Sequence, residues 1–307
     1  MGNGRRLVAS VAVLTAVLCG ALTSRACTGF AVYSDGALYG MNFDYDPDVP
    51  LRLLIDESEG TAAFHLAFVL GPRNVPRTAG MNEHGLFVSM QELHPMVPDA
   101  GPPGPGDQCM WGLYLQALSE FESISDIEEH LETHRMVNCR DITLHLLCAE
   151  PSGEAMVVEP GEEGHEITRL DEDRIVMTNF ANCQFAGSNI EDVHGFGADR
   201  YMIAHDYLEE NFEGFDIADG LELLKRASWS WTRCSMVFDP AAGEVYLALE
   251  GDFERLFRVS IADRTIETYS GYDEHASWAL GRWGVPAAGI RDGRLGLIER
   301  IEGLFGR

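Results

Sequence analysis

From Thr28 onward, apolar and polar positions alternate in short runs. Thr28–Tyr33 and Ala37–Asn42 flank the turn residues Ser34-Asp35-Gly36, which predicts a β-hairpin. A second pair is written in "DITLHLLCAEPSGEAMVVE", Asp141 to Glu159, turning at Pro151-Ser152-Gly153-Glu154, and a third in "CSMVFDPAAGEVYLALEG", Cys234 to Gly251, turning at Asp239–Gly243. Between the hairpins the apolar spacing changes to about 3.6, predicting helices over Trp111–Phe121, Ile124–His134, Ala198–Tyr207 and Ile217–Ala227. Ser125 and Glu128 have the spacing of a capping box for the second of these. Antiparallel hairpins with helices grouped between them predict an α+β layered fold dominated by sheet. The run "MVPDAGPPGPGDQ", Met96 to Gln108, reads as a surface loop, suited to the rim of a substrate site or to a plain connection. No repeat or internal boundary divides residues 27–307, so one domain is expected, with a partly helical tail from about Trp278.

Residues 1–26 break this pattern. Arg5 and Arg6 precede an apolar stretch, Leu7–Gly20, and Ser24-Arg25-Ala26 supplies small residues before Cys27. This is the layout of a secretory signal peptide cut after Ala26, and the apolar stretch falls short of the ~18 residues of a spanning helix. A secreted or periplasmic protein without stable membrane insertion is therefore expected. The 307 residues, 46% hydrophobic and 23% charged, suit a globular chain with a substantial core. The balance of 22 Lys and Arg against 49 Asp and Glu argues against nucleic acid or an anionic membrane as partner. Seven cysteines, one of them Cys19 in the leader, follow neither a zinc spacing nor a dense disulfide framework. No metal or cofactor is expected.

Cleavage after Ala26 would leave Cys27 with a thiol and a free α-amine on one residue. An α-amine titrates near 7.7–8.0 and a thiol near 8.5, so the amine can take the thiol proton at neutral pH and return it to a leaving amine. That is the logic of amino-terminal nucleophile catalysis, and it needs no separate histidine. Two other roles compete for Cys27: a small hydrophobe at the start of a buried strand, and a lipid-modified cysteine. Ser24 and Arg25 are poor company for the second.

Cys27-Thr28-Gly29-Phe30 followed by Gly40-Met41-Asn42-Phe43-Asp44 resembles the opening of the choloylglycine hydrolase and penicillin V acylase family of linear-amide hydrolases. The likeness continues in order through "AGMNEHGL" (Ala79–Leu86), "TLHLLCAEPSGEAMVVE", "VMTNF", "GADRYMIA" and "WTRCSMVFDPAAGEVYLAL", spanning roughly Cys27 to Glu250. It implies a four-layer αββα amino-terminal nucleophile hydrolase fold and cleavage of a carbon–nitrogen amide bond through a covalent thioester. By the same resemblance Cys27 matches the nucleophile, Asp44 the acid that holds the α-amine, Asn179 an oxyanion-hole amide, and Arg200 the cation beside the nucleophile. Each position also has a plainer reading: an acidic turn around Asp44, Asp46 and Asp48, a turn-capping asparagine, and a first-turn helix residue. A cation is disfavoured at a helix start, so Arg200 calls for a buried partner.

Two positions depart from the family pattern. Met41 stands where most members have arginine, and the second oxyanion asparagine is missing near Gln91-Glu92, where Gln91 is the side chain able to donate. The expectation is an exported cysteine amidase acting on a small N-acyl substrate. A dipeptidase or acyltransferase of the same fold, and a binding protein with Cys27 blocked, are the competing readings.

Overall fold

The computed structural model describes residues 27–57, 60–72, 74–97, 104–138, 142–161 and 164–293. The leader, the last part of the tail, and residues 98–103 of the proline-rich loop lie outside the described residues.

Two eight-stranded antiparallel sheets face one another. The first orders its strands Arg174–Met177, Thr28–Tyr33, Ala37–Asp44, Thr232–Asp239, Glu244–Leu249, Leu256–Ser260, Thr265–Ser270 and Ser277–Ala279. The second runs Gly164–Arg169, Ala155–Gly161, Leu144–Ala149, Phe87–Glu92, Arg77–Asn82, Ala63–Phe68, Leu51–Asp56 and Val285–Pro286. All three expected hairpins are present, with Thr28 opposite Asn42, Ala155 opposite Ala149 and Asp239 opposite Glu244.

Both faces of the central strands are buried. In the opening strand Ala31 points into the core between the sheets while Phe30 and Val32 face a helical layer. Leu147 and Ala149 likewise face inward, and Leu146 and Cys148 outward. Helices Met110–Glu120 and Ile124–Thr133 cover the second sheet through Leu113, Tyr114, Leu118 and Ile127. Helices Ala198–Asn211 and Ile217–Arg226 cover the first through Ala204, Leu208, Leu221 and Leu224. The layers are therefore αββα, as expected.

The capping box lies two residues earlier than the sequence suggested. Ser123, extended at φ −146°, caps the second helix, and the Asp126 carboxylate accepts from the Ser123 N–H at 2.9 Å. The earlier start keeps Ile124 in the helix and fully buried, and Glu128 pairs instead with Arg169. Cys109 is disulfide-bonded, whereas Cys27, Cys148, Cys183 and Cys234 are free. No described helix is long and apolar enough to cross a membrane.

Candidate active site

The topology brings six chain segments to one place. Cys27 immediately precedes the Thr28–Tyr33 strand, whose neighbours are Arg174–Met177 and Ala37–Asp44. Gly29 lies opposite Met177, so Thr178 and Asn179 leave their strand beside Cys27. The other neighbour ends on Asp44, opposite Thr232. Asp44 is thus a buried strand end, 1% exposed, and the acidic turn begins only beyond it. Arg200 arrives from the first turn of the Ala198–Asn211 helix, and Gln91-Glu92 from the end of a strand in the facing sheet.

Arg200 has the buried partners its position called for. Its Nη1 donates to the Cys27 carbonyl and to Thr28 Oγ1 (3.2 Å), and its Nη2 to Asn179 Oδ1 (3.1 Å). Gly197, which precedes the helix, has φ +85°, and a Cβ there would stand 2.5 Å from Arg200 Nη2. Glycine supplies both the left-handed backbone and the space for the guanidinium.

Asn179 is fully buried. Its Nδ2 donates one hydrogen to the Glu92 carbonyl at 2.7 Å, leaving the second for a ligand, and its own carbonyl accepts from the His94 N–H at 2.7 Å. Gln91 is differently placed. In the amide orientation that satisfies its surroundings, Nε2 donates to the carbonyls of Thr178 (2.9 Å) and Cys27 (3.2 Å), and Oε1 accepts from the Gly29 N–H (3.0 Å). Both hydrogens are committed to backbone, so Gln91 ties the two sheets together under Cys27. Gly29 lets it approach, since a Cβ there would stand 2.9 Å from the amide atom that is Oε1 in this orientation.

Asp44 is only half satisfied. Oδ1 accepts from Thr232 Oγ1 at 2.6 Å, but Oδ2 is buried without a hydrogen-bond partner among the described residues, with Arg200 Nη1 3.8 Å away. Burial lifts the Asp44 carboxyl to about 7 against the pull of Thr232, Arg200 and the Trp229 side chain. Burial, and next the Asp44 charge, push the Cys27 thiol up to about 12. With residues 1–26 attached, the thiol is protonated at neutral pH. Met41 is fully buried in the apolar core that also contains Cys27.

Nothing in the sequence singled out Thr232, nor the buried pair His145 and Glu159 behind Asn179. Only the position of His145 within the Thr-Leu-His segment hinted at it. A cavity of about 530 Å³ lined by Phe180, Asn182, Phe185 and Tyr201 is a different place, because none of Cys27, Asp44, Asn179 and Arg200 lines it. Among the described residues no group of three or more His, Cys, Asp or Glu side chains is arranged to hold a metal ion.

Comparison with known proteins bears on the fold and on family similarity. Residues 69–202 match the family model for linear amide C–N hydrolases, choloylglycine hydrolase family. The fold is similar to a mutant of conjugated bile acid hydrolase from Clostridium perfringens, at 14% identity and TM-score 0.60, over 83% of this chain and 97% of that one. It is also similar to penicillin V acylase from Agrobacterium tumefaciens, at 17% identity and TM-score 0.56, over 79% and 90%. No curated protein matches the chain. Residues 69–202 are thus similar to the choloylglycine hydrolase family of linear amide C–N hydrolases, and the chain has the fold of the amino-terminal nucleophile hydrolases.

Proposed function

We propose that the protein is an exported amidase whose nucleophile, Cys27, is armed by removal of residues 1–26. The observation that carries this reading is Asp44 Oδ2, a buried carboxylate oxygen with no hydrogen-bond partner among the described residues, beside a protonated cysteine. An α-ammonium freed at Cys27 supplies what is absent on both sides. It gives Asp44 a cationic donor, and it gives the thiol a base once its own proton is lost.

The reaction then follows from the groups present. The Cys27 α-amine takes the thiol proton, and Sγ attacks the acyl carbonyl carbon. Negative charge on the carbonyl oxygen is met by the second Nδ2 hydrogen of Asn179, whose Oδ1 is fixed by Arg200. The carbon–nitrogen bond breaks, the amine departs with the proton held on the α-amine, and an acyl thioester is left on Cys27. Water, deprotonated by the same amine, releases the acid and restores the thiol. Gln91, with both amide hydrogens on backbone carbonyls, acts by holding Cys27 rather than by donating to the oxyanion.

Export is supported by Arg5, Arg6, the apolar run and the small residue Ala26 before Cys27. The test is to recover the exported protein, sequence its amino terminus, and assay it against a panel of N-acyl amides beside Cys27→Ala. A chain starting at an unblocked Cys27, with hydrolysis lost in the variant, supports the proposal. A different terminus, an acylated amine, or full activity in Cys27→Ala removes it.

A further inference from the structure

We infer that His145 and Glu159 form a buried positioning pair that holds the Thr178–Cys183 turn, and so aims the Asn179 amide. The inference rests on the oxyanion role proposed above for Asn179. Both side chains are fully buried, and both belong to the second sheet, whereas the turn leaves the first.

His145 Nδ1 lies 3.0 Å from Glu159 Oε1, and Nε2 lies 2.8 Å from the Thr178 carbonyl. A carbonyl oxygen can only accept, so Nε2 carries a hydrogen. Glu159 already accepts the Asn182 N–H on Oε1 (2.9 Å) and the Cys183 N–H on Oε2 (2.8 Å). With N–H donors on both its oxygens Glu159 is held as an acceptor, so Nδ1 faces it from the donor side and the two form an ion pair when the ring carries both protons. Burial pushes the Glu159 carboxyl up, but His145 and the Cys183 and Asn182 N–H groups outweigh it and hold it below the ordinary range.

The pair therefore grips the turn at both ends, by the Thr178 carbonyl and by the Asn182 and Cys183 N–H groups. Asn179 lies between these grips. A buried ion pair is a poor way to gain stability, because desolvating two charges consumes most of their attraction and apolar side chains can fill the same space. Among the described residues, apart from their bond to each other, the hydrogen bonds of these side chains all go to this one turn. An amide aimed at a developing oxyanion is sensitive to such support, since a misplacement of about 1 Å can cost roughly 10²-fold in rate.

The test compares wild type, Glu159→Gln, Asn179→Ala and the Glu159→Gln/Asn179→Ala double variant, all as correctly processed protein. His145→Gln/Glu159→Gln, which removes both charges together, stands in if Glu159→Gln alone fails to fold. We expect Glu159→Gln to lower kcat about 10- to 100-fold, within the ~10²–10³ limit of one oxyanion donor, with KM changed less than about twofold. Alkylation of Cys27 by iodoacetamide, which builds no oxyanion, should keep its rate within about twofold. The double variant should be no slower than Asn179→Ala, because a misaimed amide cannot be lost twice. Hydrogen exchange across residues 178–183 should quicken.

Three results each overturn the inference: kcat and alkylation falling together, single-variant losses that multiply in the double variant, or wild-type exchange protection of the turn. If Cys27→Ala keeps full activity, the proposed function fails instead, and the exchange measurement still decides whether the pair holds the turn.

Discussion

At Asp44, one carboxylate oxygen is bonded and the other is not, and this asymmetry gives the uncut chain a measurable signature. The folded carboxyl titrates near 7 against an ordinary value of 3.8. Between those values the folded state holds a proton that the unfolded state has released. The contribution is therefore fully present below about pH 4 and is lost as pH rises through 7. The stability of the uncut protein relative to its Asp44→Asn variant should fall over that window, as read by urea midpoints at about pH 4, 5.5 and 7.5. In protein cut before Cys27, an α-ammonium beside Oδ2 should flatten the difference. Parallel curves for the uncut pair would mean that burial does not perturb Asp44. Asn179→Ala tests the other half of the site. Removing one oxyanion donor typically costs about 10²–10³ in kcat, and that loss is expected with the thermal midpoint lowered only modestly. A loss confined to KM would move Asn179 from the transition state to ground-state binding.

Helix caps and strand faces show where local chemistry is readable and where it is not. Ser123-x-x-Asp126 and Ser125-x-x-Glu128 are both possible capping boxes, and the structure selects the first because Ile124 must be buried. Ser123→Ala should accordingly destabilise the protein by about 0.5–2 kcal/mol, whereas Ser125→Ala should stay within a few tenths; denaturant titration separates them. The hairpins were legible because Ser34-Asp35-Gly36, Pro151–Glu154 and Asp239–Gly243 are turn chemistry in plain order. Most of the second sheet was not. In Ala63–Phe68 only His65 breaks an otherwise apolar run, and in Leu51–Asp56 Leu54 interrupts the alternation between Arg52 and Asp56, so the pattern that marks a half-buried strand is weak. Arg200 was legible because a cation in a first helical turn demands a reason, and its partners Cys27, Thr28 and Asn179 provide one. Glu159 carried no comparable signal. It stands 23 residues from Asn182 and 24 from Cys183, a separation that no periodicity reports. Gln91 was identified as the available donor, and only its geometry shows that Thr178, Cys27 and Gly29 already occupy its amide.

Across the molecule, the two sheets divide the labour. The first supplies Cys27, Asp44 and Asn179 from adjacent strand ends, and the second braces them through Gln91 and the His145–Glu159 pair. The helical layer adds Arg200 from outside, with Gly197 making room. What the uncut chain lacks is a base at Cys27, whose thiol is held protonated in a site otherwise in place. On the mechanism we propose, removal of residues 1–26 would be the activating event, and the processed chain would differ in chemistry from the uncut one by a single free amine. The most direct measurement is the mass of the Cys27-containing peptide from processed protein quenched during turnover of an N-acyl amide. Cys27 is expected to carry the acyl group as a thioester, and protein retaining even one residue before Cys27 is expected to form no adduct. Turnover that proceeds with Cys27 unmodified would contradict this mechanism.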